Sequence, residues 1–328
     1  MIAITGASGL LGSFVASHFI SQGEQVVAFK RKESDISFLK HLQEKIHWRE
    51  VDLLDPISLG ESLKDVHTVI HSAALVSFNP KKAKAVFDTN VTGTKNVVDA
   101  CLATGIKKLI HISSVAALGG QKGTDQINED SLWTASALNS DYAISKYQAE
   151  LEVYRGYEEG LKVAILNPSV VLGPGDWHRS SSQLFKYIWN ENLFYTDGML
   201  NYVDVRDVAN MVHSLYTMDF NGERFIANTN GISFKTIFDE IAKRFGKRSP
   251  YLRVGPSLTG VIASLEAIRC FVTNQEPVIT KHTVRMARER LCYDNKKALN
   301  TLKIRLHTLE ETLDFCCHFY KEKNTTNK

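Results

Sequence analysis

Only seven prolines and five cysteines occur in 328 residues. No Pro-rich or Gly/Ser-rich linker separates the chain into mobile modules. The cysteines, Cys101, Cys270, Cys292, Cys316 and Cys317, are odd in number and form no CxxC or Cys/His ligand spacing. That argues against a disulfide framework and against structural zinc; a reducing compartment and no metal site are expected. Charge of one sign is also missing: 39 Lys+Arg against 36 Asp+Glu leave +3, too little for a nucleic-acid footprint. No apolar run reaches the roughly 18 uncharged residues of a membrane span. The longest, about Ser257 to Thr273, is interrupted by Glu266 and Arg269, and Leu258, Val261, Ile262, Leu265 and Ile268 recur there at helical spacing, as in a core or pocket wall. The start, Met1-Ile2-Ala3-Ile4-Thr5-Gly6, enters a strand-like run without the basic and small-residue marks of a signal peptide, so a cytoplasmic location is expected.

What remains is an ordinary globular composition, 44% hydrophobic and 23% charged, long enough for one large or two moderate domains. Short β-branched runs (Ile2 to Thr5, Gln25 to Phe29, Ile46 to Val51, Thr68 to His71, Lys108 to Ile112, Lys162 to Leu166) alternate with helical patterns near Leu10 to Ser21, Ser34 to Gln43, Ile57 to Leu63, Ala83 to Ala103 and Asp141 to Glu159. Strands joined by helical crossovers predict right-handed βαβ units and an α/β fold, a Rossmann-type doubly wound parallel sheet. After Pro168 the alternation loosens. Helices are expected over Val205 to Met218, Phe234 to Phe245 and Leu309 to Tyr320, with brief strands between. The expected organisation is a nucleotide-binding unit over 1–172 with a return near 203–228, a smaller, mostly helical C-terminal substrate region over 173–320, and a flexible tail over 321–328.

Thr5-Gly6-Ala7-Ser8-Gly9-Leu10-Leu11-Gly12 has the form TGxxGxxG where the first strand meets the first helix. Glycines there permit a tight turn, close approach of backbone to a pyrophosphate, and close helix–strand packing. Gly6, Ser8, Gly9, Leu10, Leu11 and Gly12 are therefore read as cofactor-binding. The second strand ends in Phe29-Lys30-Arg31-Lys32, where an acidic residue would bond the ribose 2′-hydroxyl of NAD. Lys30, Arg31 and Lys32 suit a 2′-phosphate instead, so NADP(H) is expected ahead of NAD; a solvated basic turn is the alternative. Asp52, followed by Leu53, could meet the adenine, although an Asp opening a loop is also a routine cap.

Tyr142-Ala143-Ile144-Ser145-Lys146 places a phenol and an ammonium on one helix face. The cation would stabilise phenolate and lower the tyrosine pKa. Upstream, His111-Ile112-Ser113-Ser114-Val115-Ala116-Ala117-Leu118-Gly119 sets hydroxyls at a strand's carboxyl end, the edge where doubly wound sheets bind ligands. His71 and His111, on strands and without metal spacing, are read as satisfied structural residues.

Together, the TGxxGxxG loop, Ser114 before a xxxxG segment, YxxxK, Asn90 in Thr89-Asn90-Val91-Thr92-Gly93-Thr94 and Asn167-Pro168-Ser169-Val170-Val171-Leu172-Gly173-Pro174-Gly175-Asp176 make a sequence that resembles the extended short-chain dehydrogenase/reductase superfamily over nearly its whole length. In style it is similar to the NAD-dependent epimerase/dehydratase family, and within it to dihydroflavonol reductases and 3β-hydroxysteroid dehydrogenases. The resemblance implies that Ser114 polarises a carbonyl, Tyr142 is the acid–base, Lys146 bonds the nicotinamide ribose, and Asn90 is the helix-kinking asparagine. A polar residue in mid-helix that merely bonds backbone is the other reading of Asn90. It implies also that Ala73 and Ala74 line the cofactor, that backbone at Pro168, Ser169 and Val170 meets the nicotinamide amide, and that a homodimer forms through Ala83 to Ala103 and Asp141 to Glu159.

Departures from family patterns narrow the expected reaction. Val115 and Ala116 stand where sugar-nucleotide dehydratases carry Asp-Glu, and Leu200-Asn201 stands before Tyr202-Val203-Asp204-Val205 where epimerases carry a diphosphate-clamping arginine, a place that Arg179 or Lys186 could fill instead. An oxidoreductase acting on a small, apolar or ring-containing carbonyl or alcohol is expected, with a sugar-nucleotide epimerase and a non-catalytic dinucleotide sensor or scaffold as alternatives. Substrate contacts are expected from Val76, Trp177, Arg179 and Tyr195 and from the stretch Leu258 to Phe271.

Overall fold

The computed structural model describes residues 1–119, 126–136, 139–177, 179–255 and 291–325; His178 and the stretch from Ser257 to Thr273 lie outside them. In chain order the first half gives β1 (Ile2–Thr5), α1 (Leu10–Ser21), β2 (Val26–Lys30), β3 (Ile46–Glu50), α2 (Pro56–Glu61), β4 (Thr68–His71), α3 (Ala83–Phe87), α4 (Gly93–Thr104), β5 (Lys108–Ile112), β6 (Gln126–Ile127), α5 (Asp141–Glu158) and β7 (Lys162–Pro168). The second half gives β8 (Val170–Leu172), α6 (Gln183–Trp189), β9 (Phe194–Tyr195), β10 (Met199–Asp204), α7 (Val205–Thr217), β11 (Glu223–Ala227), β12 (Asn230–Ser233), α8 (Phe234–Phe245), β13 (Leu252–Arg253) and β14 (Cys292–Tyr293). Two helices close the chain, α9 (Lys296–Leu302) and α10 (Leu309–Thr325).

Seven strands form one parallel sheet in the order β11-β7-β5-β4-β1-β2-β3. The chain runs outward from β1 to β3, then returns to β4 on the other side of β1. That reversal opens a crevice between the carboxyl ends of β1 and β4. Because side chains alternate along a strand, Ile2, Ile4, Val26, Ala28 and Ile70 pack under α1 and α7, while Ala3, Val27, Phe29 and Val69 pack under α2, α4 and α5. Both faces are covered, which is why these strands are apolar throughout. At the opposite end of the sheet the buried Lys108 ammonium donates to the carbonyl of Leu215 (2.6 Å) and to that of Met218, setting a cation at the C-terminus of α7.

The structure departs from the sequence reading in four places. Ala83 to Ala103 is not one helix; a π-turn over Asp88–Thr92 separates α3 from α4. The helix expected over Ser34 to Gln43 is a 3₁₀ segment over Ser37–Lys45, entered through Asp35, whose carboxylate accepts the Ser37 amide at 2.8 Å. The C-terminal region carries more sheet than expected: among the described residues β12-β10-β8 form a three-stranded sheet, and β13-β9 and β14-β6 pair. Strands of two residues are too short to show a period. Finally, α10 continues to Thr325, into the expected tail, with an i,i+4 contact between His318 and Glu322 at 3.2 Å.

Candidate active site

The crevice is built by glycine. Gly6 has φ +69°, and a Cβ there would stand 2.7 Å from the Ala73 backbone; both the conformation and the approach exclude a side chain. A Cβ on Gly12 would stand 2.1 Å from the Gly6 carbonyl oxygen. The turn closes when the Gly9 amide donates to that oxygen at 2.9 Å, and Gly9 then begins α1 with no side-chain cap and no acidic residue in its first turn. The first-turn N–H groups and the positive end of the helix thus face the crevice, a cradle that fits a pyrophosphate. Leu10 lies against Gly173 and Gly175, where an added Cβ would stand 3.4 and 3.3 Å from its Cδ1. The loop after β8 therefore crosses over the start of α1, and Ser8 and Leu11 sit half-buried beside it.

Beyond the end of β2 the Arg31 amide donates to Ser34 Oγ and the Ser34 amide returns to the Arg31 carbonyl, each at 3.0 Å. This turn leaves the Arg31 and Lys32 side chains exposed, and neither makes an ion pair among the described residues. Lys30 pairs in register with Glu50 across β2 and β3. Asp52 caps its own loop, accepting the Leu54 amide at 3.0 Å, and the Leu53 carbonyl is taken by Asn96 at 2.8 Å.

Ser114 follows β5 in extended conformation and caps a 3₁₀ turn, accepting the Ala116 amide at 3.2 Å. Tyr142 lies in the first turn of α5, which Ser140 caps by accepting the Ala143 amide at 3.2 Å. The Ser114 hydroxyl stands beside the Tyr142 phenol: burial pushes that phenol above its usual range, and the Ser114 bond pulls the other way. Lys146 is expected to lower the Tyr142 pKa; in the protein alone burial outweighs every lowering contribution and the shift is upward. Lys146 is 2% exposed. Its ammonium donates to the Ile112 carbonyl at 3.0 Å, and burial lowers its pKa to about 8 against the opposing field of Glu150.

Asn90 sits in the π-turn. Its Oδ1 accepts the Leu75 amide at 2.7 Å, and its Nδ2 donates to the Leu75 carbonyl at 3.0 Å and to Ser145 Oγ at 2.9 Å. Ser145 in turn donates to the Tyr142 carbonyl at 2.8 Å. Asn90 thus joins the loop behind Ala73 and Ala74 to the turn that carries Tyr142, a positioning role more specific than bonding its own helix. Phe78, which the sequence did not single out, meets the Tyr142 ring edge-on at 5.9 Å. The Ser169 amide is engaged by the Ala227 carbonyl at 2.9 Å, while Pro168 and Val170 continue into the strand pairings of β7 and β8. The buried Ser169 hydroxyl has no partner among the described residues.

The residues expected on the substrate side do not converge. Val76 is exposed on the loop after β4, near Phe78 in sequence. Trp177 stacks on Tyr320 at 5.5 Å and tilts against Trp189 at 5.7 Å, so it anchors its loop to α10. Arg179 is largely exposed, 3.4 Å from Asp176; it lies near Asp35, which hydrogen bonds from Ser37 hold below the usual carboxylate range with a smaller contribution from the Arg179 charge. Tyr195 lies in β9, with Lys235 over its ring at 5.6 Å. His71 is satisfied as expected, bonded at both ring nitrogens, but His111 is not: neither of its nitrogens has a partner among the described residues.

A family profile described as NAD dependent epimerase/dehydratase matches residues 2–227. A Synechocystis protein that bears the name dihydroflavonol 4-reductase is 28% identical over 325 residues, covering 97% of this chain and 94% of that one. Sterol demethylase protein B of Methylococcus capsulatus is 29% identical over 86% of this chain and 87% of its own. Among solved structures, the crystal structure of gox2253 is 27% identical with a TM-score of 0.84, covering 98% of each chain.

Proposed function

The chain belongs to the NAD dependent epimerase/dehydratase family, NAD(P)-dependent enzymes of the extended short-chain dehydrogenase/reductase type, and from that premise we propose that it is an NADP(H)-dependent reductase of a small apolar or ring-containing carbonyl compound. The observation that carries this reading is the meeting of Ser114, Tyr142 and Lys146 at the carboxyl edge of the sheet, beside a glycine cradle that only backbone can fill. The exposed Arg31 and Lys32, with no carboxylate at the end of β2, favour the phosphorylated dinucleotide. Names among the relatives, a dihydroflavonol 4-reductase and a sterol-processing protein, support an apolar ring substrate.

When bound, NADPH supplies the hydride. The chain's own groups do the rest. Ser114 donates a hydrogen bond to the carbonyl oxygen, and Tyr142 hands over the proton. A phenol held above its ordinary pKa is fully protonated at neutral pH, the state a proton donor to a nascent alcohol needs. Lys146, tied to the Ile112 carbonyl by one N–H, has others with which to bond the nicotinamide ribose. Leu200, 7% exposed in the core of the second half, offers no cation to a diphosphate, which weighs against the epimerase alternative.

The test measures NADPH consumption against a panel of apolar ketones, aldehydes and sugar nucleotides, with separate Kd values for NADPH and NADH. Net oxidation with an apolar ketone and tighter binding of NADPH are expected. Turnover of a sugar nucleotide without net consumption, or binding of NADH equal to or tighter than that of NADPH, would overturn the reading.

A further inference from the structure

We infer that Glu150 is a positioning residue of this site: through Asn167 it fixes the backbone of Ser114, and one helical turn beyond Lys146 it provides the counter-charge that keeps that ammonium protonated. The inference rests on the reading of Ser114, Tyr142 and Lys146 as reacting groups.

Tyr142, Lys146 and Glu150 are spaced i, i+4, i+8 on α5, so the three share a face. Glu150 is 1% exposed. One of its oxygens accepts the Asn167 side-chain amide at 2.6 Å, and the same amide nitrogen donates to the Ser114 carbonyl at 3.0 Å. Asn167 is next to last in β7 and Ser114 follows β5, so this bridge crosses neighbouring strands at the edge where Ser114 must present its hydroxyl. The other Glu150 oxygen faces the Arg224 guanidinium at 3.4 Å. Arg224 is itself held from outside, donating to the Glu129 carbonyl at 2.7 Å and the Ser131 carbonyl at 3.2 Å.

A buried charge without a partner is strongly disfavoured. The titratable groups facing Lys146 are His71 from β4, His111 from β5 and, on α5, Glu150 together with Tyr142 one turn before Lys146; Arg224 from β11 and Tyr154 from α5 face Glu150. Burial holds both imidazoles far below their ordinary range, so both are neutral. Arg224 is a cation. Glu150 is the carboxyl group of this set among the described residues; burial pushes its pKa up, and its hydrogen bonds together with the charges of Arg224 and Lys146 pull it back down, so it answers to two cations at once. A purely structural role would be met by any acceptor for Asn167; the i,i+4 spacing from Lys146 and the 3.4 Å approach of Arg224 instead give Glu150 a charge to share with two cations.

Glu150→Gln keeps the shape and an acceptor for Asn167 while removing the charge. NADPH binding, followed by fluorescence across neutral and alkaline pH, is expected to weaken at a midpoint about one pH unit lower than in wild type, a tenfold loss of affinity on the alkaline side. Arg224→Gln, which takes from Glu150 the cation that helps keep it ionised, is expected to move the midpoint downward as well, and it reads the same coupling should Glu150→Gln fail to fold. Coincident midpoints in the wild type and both variants, or a pH-independent loss that tracks a falling Tm, would overturn the inference. Lys146→Met separates this from failure of the underlying reading: if it leaves the wild-type pH dependence in place, Lys146 does not hold the cofactor and that reading fails. If it abolishes the dependence while neither Glu150→Gln nor Arg224→Gln shifts the midpoint, only the role of Glu150 fails.

Discussion

His71 and His111 are register partners on β4 and β5 with their rings 5.3 Å apart, yet their surroundings differ. Thr94 donates its hydroxyl proton to the Asn90 carbonyl at 2.5 Å, so toward His71 Nε2, 2.9 Å away, it can only accept. That assigns the proton to Nε2 and leaves Nδ1 to accept from Thr5 at 2.7 Å, while Thr5 accepts the Ser72 and Ala73 amides. His71 thus ties the end of β1 to the loop behind the cradle and to the π-turn. Its pKa lies at about 3, against 6.5 in an open chain. Below about pH 6.5 the unfolded state binds a proton that the native state refuses, so stability falls as the pH drops from there toward 3. Thermal melts over that range should show Tm declining steadily. His111 buries two ring nitrogens without a described partner, so His111→Leu is expected to raise stability by about 1–3 kcal/mol at pH 5, and by less at pH 8. A lower Tm in this variant at pH 5 would show that His111 has a partner. Tyr142→Phe should abolish turnover with NADPH affinity retained; residual turnover near the wild-type rate would remove Tyr142 from the chemistry. At this scale, contacts within one turn were legible from spacing, as Tyr142 and Lys146 show. Glu150, Asn167 and Arg224 were not, because three elements bring them together and no local pattern marks a pair that only the sheet order creates.

Elements carry the site through their irregularities. A straight helix from Ala83 to Ala103 would have been good packing, and the hydrophobic pattern predicted it. The π-turn at Asp88–Thr92 interrupts it where Asn90 turns inward to both Leu75 and Ser145. One residue's hydrogen bonds decide this, and hydrophobic periodicity does not record them. Asn90→Ala would leave the Leu75 amide and Ser145 without their partner, at a cost of about 1–3 kcal/mol. Since Ser145 supports the Tyr142 turn, kcat should fall more than the affinity for NADPH. Equal loss in both would place Asn90 in the general fabric of the fold. In contrast, the glycine loop was legible outright, because backbone geometry dictates residue identity there. Gly6→Ala would force a methyl to 2.7 Å from the Ala73 backbone at φ +69°, so loss of NADPH binding is expected together with at least about 1–2 kcal/mol of destabilisation. Binding titrations and urea melts would report both.

At the scale of the molecule, α10 holds the two halves together. Phe315 meets Phe14 of α1 edge-on at 5.9 Å and receives Arg206 over its face at 4.2 Å; Phe319 approaches Phe38 at 6.4 Å. On its other flank Tyr320 contacts Phe185 at 5.1 Å and Trp177, and its hydroxyl accepts the Gly175 amide at 3.0 Å. Tyr320→Ala is expected to cost about 3–5 kcal/mol, read as a lower urea midpoint, whereas Tyr320→Phe should cost only about 1. Equal effects would assign the whole contribution to the hydroxyl. The doubly wound sheet was legible because strands covered on both faces are apolar throughout. The clasp was not, since its aromatic contacts join residues more than a hundred positions apart. Dimerisation through α4 and α5 stays a proposal of family type, and sedimentation as a monomer would remove it.

The pairing of Glu150 with Arg224 also bears on how the chain is made. During synthesis the strands β1 to β7 and the helix α5 emerge before β11, so for a time the carboxylate destined for burial has no guanidinium to meet, and β7 is an open sheet edge. A nascent chain arrested before Glu223 would hold every residue of the Ser114, Tyr142 and Lys146 constellation and still lack the strand that pairs with β7 and brings Arg224 to Glu150. Completion of this edge of the sheet is therefore tied to the arrival of a segment made well after it, and until that segment is made Glu150 has only Lys146, on its own helix, of its two cations.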